Sequence, residues 1–273
     1  MKKVSFKNFY FVVVFLMFAF LSCHREPEPE SPVSPPLVVD YSKVFVAHAG
    51  GAVEGYIRTN SLEGLNASYA NGFRMFELDL QLSTDNKIVA VHDPIFVTEE
   101  EFLATPILGK FTPMNMDIIN EWFEKHNDAI LVTDKINRPD LLAQQFRFKN
   151  RLIMELFTWE AVEKALELEV IPMVSQNIFW KEPNIEERLD NLKVTYIGMH
   201  REYLANDKQL LKRLKEKGYK TYVWFTLNEI EGMKPEEYVW KNDMEFCYGM
   251  YANSLLNSPV SVPYFNPEAA KNK

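Results

Sequence analysis

Short runs of aliphatic, β-branched and aromatic residues alternate along this chain with stretches whose apolar positions recur every three or four residues. The short runs are Val44 to Ala47, Arg74 to Leu80, Ile130 to Val132, Leu152 to Leu156, Val170 to Val174, Thr195 to Met199, Lys220 to Phe225 and Phe246 to Tyr251. They predict eight strands. Between most of them lie helical patterns: Ser61 to Ala70, Met116 to Lys125, Asp140 to Phe148, Trp159 to Leu168, Asn184 to Leu192, Asp207 to Lys217 and Pro235 to Trp240. Such alternation implies parallel strands joined by crossovers. From Val38 onward there are about 230 residues, close to the ~250 typical of an eight-stranded α/β barrel. The expected fold is therefore a TIM-type (β/α)8 barrel over residues 38–273. Leu255 to Tyr264 carries Pro259 and Pro263 and gives no clear eighth helix, so closure is inferred from the strand count.

One segment breaks the alternation. Ile88 to His92 follows the second strand after only Thr84-Asp85-Asn86-Lys87, too short for a parallel crossover, so it returns antiparallel. A two-residue loop at Asp85-Asn86 makes opposing positions sum to 171 and sets Asp79 across from His92. Glu77 and Asp79 share a face by the period of two. Two carboxylates held together repel, and an oxygen-preferring dication relieves them.

The N-terminus reads differently from the rest. Lys2, Lys3 and Lys7 precede an unbroken apolar run of 13 residues, Phe9 to Leu21, which is short for a bilayer span and right for a signal peptide. The run ends in Phe20-Leu21-Ser22-Cys23, which resembles a relaxed bacterial lipobox. The expectation is cleavage after residue 22, a lipid on Cys23 and anchoring to the bacterial cell envelope through the membrane. Residues 23–37 carry five prolines with Glu26, Glu28 and Glu30 among them and form an extended tether. Removing residues 1–22 takes away three lysines and no acid, which moves the net charge from −8 to −11. That balance argues against a nucleic-acid partner and against long-range capture of an anion, so any phosphate recognition has to be local and metal-assisted. Cys247 is then the one cysteine of the domain, and no internal disulfide forms.

The order Val44-Phe45-Val46-Ala47-His48-Ala49-Gly50-Gly51, Thr59-Asn60-Ser61-Leu62-Glu63, Glu77-Leu78-Asp79-Leu80 and Val89-Ala90-Val91-His92-Asp93-Pro94 resembles the glycerophosphodiester phosphodiesterase signature. That family opens with His-Arg-Gly and continues with Glu-Asn-Thr-Leu-Glu, Glu-x-Asp and His-Asp. Val223-Trp224-Phe225-Thr226-Leu227-Asn228 resembles its Trp-Thr-x-Asn strand end. The resemblance implies a site at the C-terminal ends of the barrel strands. There His48 and His92 act as general acid and base, and Glu77 and Asp79 ligate Ca²⁺ or Mg²⁺. Which histidine is acid and which is base stays open, as does the choice between water and a substrate hydroxyl as nucleophile. A phosphodiester needs its nonbridging oxygens neutralised, a nucleophile deprotonated and an alkoxide protonated; one dication and two imidazoles supply all three.

Two departures from the family pattern matter. Where the family has Glu-x-Lys at the third strand end, this chain reads Thr133-Asp134-Lys135. Aligning the lysines selects Thr133 and aligning the acids selects Asp134. Asp134 is preferred as third ligand with Lys135 on the phosphate, and Glu155 is held in reserve. Ala49 stands in place of the family's arginine, which removes a bidentate phosphate donor; Arg58 or Arg201 is expected to take part of that role. Asn60 and Trp224 complete the substrate contacts, although Asn60 could equally cap a helix and Trp224 could equally be barrel packing. His126 is expected to cap a helix end, and His200 reaches the site only through its strand-end position. The leading function is hydrolysis of small glycerophosphodiesters. A lyase forming a cyclic phosphate from phosphoinositides or sphingolipids, and a lipid-anchored phosphodiester-binding protein without turnover, are the alternatives.

Overall fold

The computed structural model describes residues 43–226 and 229–256. The signal segment, Cys23, the tether, Leu227, Asn228 and residues 257–273 lie outside them. Eight parallel strands follow one another around a closed sheet: β1 (Phe45–Ala47), β2 (Met75–Leu82), β4 (Ile130–Asp134), β5 (Leu152–Leu156), β6 (Ile171–Ser175), β7 (Tyr196–His200), β8 (Lys220–Trp224) and β9 (Gly249–Ala252). Closure is made by β1, which pairs with β9 at Val46↔Tyr251 and with β2 at Val46↔Met75. The barrel expected from the strand count is present.

Alternate residues of each strand separate two cores, as the pleat demands. Val46, Met75, Val132, Ile153, Met173, Tyr222 and Tyr251 fill the barrel interior. Phe45, Phe76, Leu78, Leu131, Leu152, Met154 and Val174 face outward and pack with the surrounding helices. Helix starts are set by short polar side chains. Ser61 Oγ accepts from Gly64 N at 3.1 Å at the head of α1 (Leu62–Ala70), and Asn115 Oδ1 accepts from Ile118 N at 3.0 Å at the head of α3 (Met116–Lys125). His126 ends α3 as expected, with its Nδ1 at 2.7 Å from the Trp122 carbonyl oxygen and its ring stacked on Trp122.

The hairpin forms, but in a different register. β3 (Ile88–Ala90) pairs with β2 at Leu80↔Ala90, Gln81↔Val89 and Leu82↔Ile88, so opposing positions sum to 170 and not 171. Val91, not His92, lies across from Asp79, and its N–H donates to the Asp79 carbonyl at 2.8 Å. The slip comes from the turn. Ser83 N–H donates to the Lys87 carbonyl at 2.9 Å, which closes a three-residue loop, and Asn86 takes the left-handed conformation (φ 60°) that such a loop needs. The Ser83 hydroxyl fixes it by donating to Asp85 Oδ1 at 2.6 Å and accepting from Lys87 N–H at 3.0 Å. Past β3, residues 91–115 leave the barrel and carry a helix the periodicity did not reveal, α2 (Glu99–Leu103), headed by a Thr98/Glu101 capping box.

Candidate functional site

The interior positions repeat every second residue, so stepping two residues beyond the inner core brings each strand to its next inward side chain. From Val46 that residue is His48, from Met75 it is Glu77 and then Asp79, from Val132 it is Asp134, from Ile153 it is Glu155 and from Tyr222 it is Trp224. This layer closes the C-terminal mouth of the barrel and lines a single cleft together with Arg58, His92, Lys135 and Tyr251. Of the residues singled out in the sequence, His48, His92, Glu77, Asp79, Asp134, Lys135, Arg58 and Trp224 all meet there.

Strand register decides the third carboxylate. β2 pairs with β4 at Glu77↔Val132, Leu78↔Thr133 and Asp79↔Asp134, and paired residues of parallel strands share a face. Asp134 therefore points inward beside Asp79. Thr133 points outward with Leu78, where its Oγ1 is buried without a hydrogen-bond partner. One oxygen from each of Glu77, Asp79 and Asp134 lies within 4.8 Å of the others. Burial, then the charges of Asp79 and Asp134, push the Glu77 carboxyl well above the carboxylate range, and burial raises Asp79 as well. Such a set of hard oxygen donors, destabilised by its own repulsion, fits Ca²⁺ or Mg²⁺. Lys135 partly offsets the charge, with Nζ at 3.0 Å from Asp134 Oδ2 and 3.5 Å from Asp79 Oδ1. Burial lowers its pKa, but Asp134 and Asp79 outweigh burial and raise it overall.

Backbone strain collects around these groups. Ala49 (φ 47°), Arg58 (φ 58°), Asn60 (φ 50°) and Lys135 (φ 69°) all adopt the left-handed region that non-glycine residues avoid. At Ala49 the turn aims the backbone N–H at Glu77 Oε2, at 2.6 Å. Gly51 is required next to it, because a Cβ there would fall 2.0 Å from the Ser68 hydroxyl. Asn60, expected on the substrate, is instead buried behind Asp79. Its Nδ2 donates to Asp79 Oδ2 at 2.9 Å and its Oδ1 accepts the Asp79 N–H at 3.0 Å, while Ser61 does the helix capping.

His48 leans against the Tyr251 ring, edge to face at 5.7 Å between centroids. Burial, helped by Arg58, Lys135 and His92, holds its imidazole well below the ordinary histidine range, so it is neutral at neutral pH. Its Nδ1 is buried without a hydrogen-bond partner in the protein. His92 has Nδ1 at 2.9 Å from Asp93 Oδ1 and its carbonyl held by Gln81 Nε2 at 3.1 Å. Arg58 Nη2 donates to the Phe225 carbonyl at 3.1 Å and faces the cleft. Arg201 does not: its guanidinium pairs with Asp243 and lies over the Tyr238 ring, 4.4 Å from the centroid. His200 is likewise outside the cleft lining and packs its ring against Trp224 at 4.6 Å. Glu155 lines the cleft outside the carboxylate cluster. Tyr251 was missed in the sequence, although its place at the end of the last strand run was the signal that could have found it.

Residues 51–102 match the Glycerophosphoryl diester phosphodiesterase family. No curated protein sequence matches the chain. Among solved structures, a glycerophosphodiester phosphodiesterase from Parabacteroides distasonis superposes with a TM-score of 0.62 at 18% identity, over 77% of this chain and 92% of that one. A phosphodiesterase from Oleispira antarctica, in complex with the product sn-glycerol-3-phosphate, gives 0.57 at 19% identity, over 78% and 94%. A glycerophosphodiester phosphodiesterase from Thermotoga maritima gives 0.55 at 21% identity, over 71% and 88%. The family match takes in Thr59–Glu63, Glu77–Leu80 and Val89–Pro94 of the segments that carry the resemblance, and the barrel fold expected with them is borne out.

Proposed function

We propose that this chain hydrolyses glycerophosphodiesters to an alcohol and glycerol 3-phosphate. The observation that carries this is the convergence of two histidines on three mutually repelling carboxylates in one cleft, at the strand ends where barrel enzymes place their chemistry. Glu77, Asp79 and Asp134 would hold a dication, Ca²⁺ or Mg²⁺, which when bound supplies positive charge to the nonbridging phosphate oxygens. Lys135 and Arg58 bring further positive charge to the phosphate, and Trp224 offers a face for the glycerol. His48, neutral in its surroundings, accepts a proton from the attacking water. His92, oriented by Asp93, gives a proton to the departing alkoxide as the bond from phosphorus to that oxygen breaks.

The test is release of glycerol 3-phosphate from a panel of head groups, with and without chelator. Loss of turnover by roughly 10²–10⁴-fold in each of His48→Ala and His92→Ala is expected. Turnover indifferent to both substitutions and to chelator would sink the assignment, and a cyclic phosphate in the phosphorus NMR spectrum would convert it to the lyase reading. Export and lipid anchoring at Cys23 are part of the proposal and rest on residues 1–23 alone. Mass spectrometry of the mature N-terminus, with Cys23→Ser as control, tests them; an unmodified Cys23 would remove the anchor.

A further inference from the structure

The guanidinium of the cleft comes from a loop. Ala49 puts a methyl group beside His48 where a strand-end arginine would stand, and Arg58 reaches the cleft from residues 52–60, which belong to no strand or helix. A side chain on such a segment is placed less accurately than one on a strand, so something else has to fix it. The backbone around it is also under tension. Glu54 (φ 48°), Arg58 (φ 58°) and Asn60 (φ 50°) all hold the left-handed conformation, which persists in non-glycine residues only where the surroundings impose it.

What imposes it is an arm that returns from the excursion after β3. Three consecutive residues of that arm, Lys110, Phe111 and Thr112, each grip the loop at a different point. The Lys110 ammonium pairs with the Glu54 carboxylate and stands 5.6 Å from the centroid of the Tyr56 ring and 5.1 Å from that of Phe111. Phe111 is buried and meets Tyr56 edge to face, with centroids 5.5 Å apart. The Thr112 N–H and hydroxyl donate to the two oxygens of Glu63 at 2.9 and 2.7 Å, and its carbonyl accepts the Leu62 N–H at 3.2 Å. The arm is itself stiffened by reciprocal backbone hydrogen bonds between Ile107 and Phe111, at 2.8 and 2.9 Å.

These grips bracket the strained stretch. Tyr56 is held on one side of Arg58 and Asn60, and Leu62 and Glu63 on the other, so the residues between them have little room to relax. Lys110, Phe111 and Thr112 do not line the cleft. An exposed ion pair or a single aromatic contact is weak alone, but here they act together on one short segment.

We infer that Lys110, Phe111 and Thr112, with Tyr56 as their main hold, are positioning residues for phosphate recognition: they clasp the loop that carries Arg58 and act on the substrate only through that guanidinium. This rests on the reading above that the cleft takes a phosphate ester.

The experiment titrates the full chain calorimetrically with glycerol 3-phosphate, Mg²⁺ present throughout, and follows choline release from glycerophosphocholine in parallel. Arg58→Ala sets the ceiling and should weaken glycerol 3-phosphate at least ~10-fold. Tyr56→Ala and Lys110→Ala should each weaken it roughly two- to tenfold, while Tyr56→Phe, which keeps the ring pair, should stay within about twofold of the parent. Lys110 is half-exposed, so Lys110→Ala leaves the core intact. The decisive arm repeats Tyr56→Ala and Lys110→Ala in the Arg58→Ala background, where their effect on affinity should shrink to about 1.5-fold or less. A merely structural role would lower Tm alike in both backgrounds and would multiply with Arg58→Ala. Multiplying effects, or an affinity indifferent to Arg58→Ala, overturn the inference and leave hydrolysis standing if choline is released. The expected pattern of affinities without choline release upholds the clasp, and hydrolysis then fails alone.

Discussion

Asn60 holds Asp79 at two points at once, its amide nitrogen on the carboxylate at 2.9 Å and its amide oxygen on the backbone N–H at 3.0 Å. A residue that fixes the direction of a metal-binding carboxylate affects affinity for the ion without touching it, typically by 10–100-fold. Asn60→Gly keeps the left-handed backbone without strain and removes only the amide. Calorimetric titration with Ca²⁺ and Mg²⁺ should show affinity weakened by about 10–100-fold, and an unchanged affinity would mean that Asp79 needs no such support.

Thr133 and Asp134 are adjacent in sequence and opposite in consequence. Asp134→Asn should weaken metal binding by about 100-fold or more, since it removes one of three charged donors. Thr133→Val should leave binding and turnover within about twofold and leave Tm equal or higher, because the hydroxyl it deletes is buried without a partner. The reverse outcome in titration and thermal melts would mean that β4 carries the other register.

Arg58 and Arg201 separate in the same manner. Arg58→Ala should cost at least ~10-fold in kcat/KM by removing a charge from the cleft. Arg201→Ala should leave KM alone and lower stability on the order of 1–3 kcal/mol, because it strips the partner from the buried Asp243. Steady-state kinetics and thermal denaturation of the two variants decide it.

Glu155 provides a pH signature. Burial first, then the charge of Asp134, pushes its carboxyl up to about 8 from an ordinary 4.5. The folded chain therefore keeps a proton that the unfolded chain releases across that interval, and this group's contribution to stability falls as pH rises from about 4.5 to about 8 and is level above. Glu155→Gln is neutral at every pH. Measured in chelator, its Tm should match the parent near pH 4.5 and exceed it by a growing margin up to pH 8; a constant offset would show that the carboxyl ionises normally.

Most of the frame could be read from the chain because it depends on local rules. The strand and helix segments follow from periodicity, and the helix end at His126 from capping chemistry, so α3 has the predicted bounds. His48, Glu77, Asp79 and His92 could be found because their motif spacing reflects strand ends. The helix at Glu99–Leu103 was not legible, since it buries no side chain and so has no apolar stripe to show.

The hairpin shows where local reading stops. That a strand returns after β2 was set by the short linker, but whether two or three residues formed the loop turned on the Ser83 hydroxyl and on Asn86 accepting φ 60°. One residue of slip moved Val91 into the place expected for His92 across from Asp79, and His92 reaches the cleft nonetheless because the chain leaves the strand after Ala90.

The sequence by itself determined that this chain forms alternating strands and helices, and which histidines and acids stand at strand ends, because alternation and spacing are properties of a single segment. Only the tertiary structure decided that Asp134 and not Thr133 faces Asp79, that Asn60 serves Asp79, and that Arg201 belongs to Asp243. Each of these depends on which residue of a distant segment lies opposite. That is fixed by strand register and side-chain packing across the closed barrel, and neither leaves a trace in the order of residues along one strand.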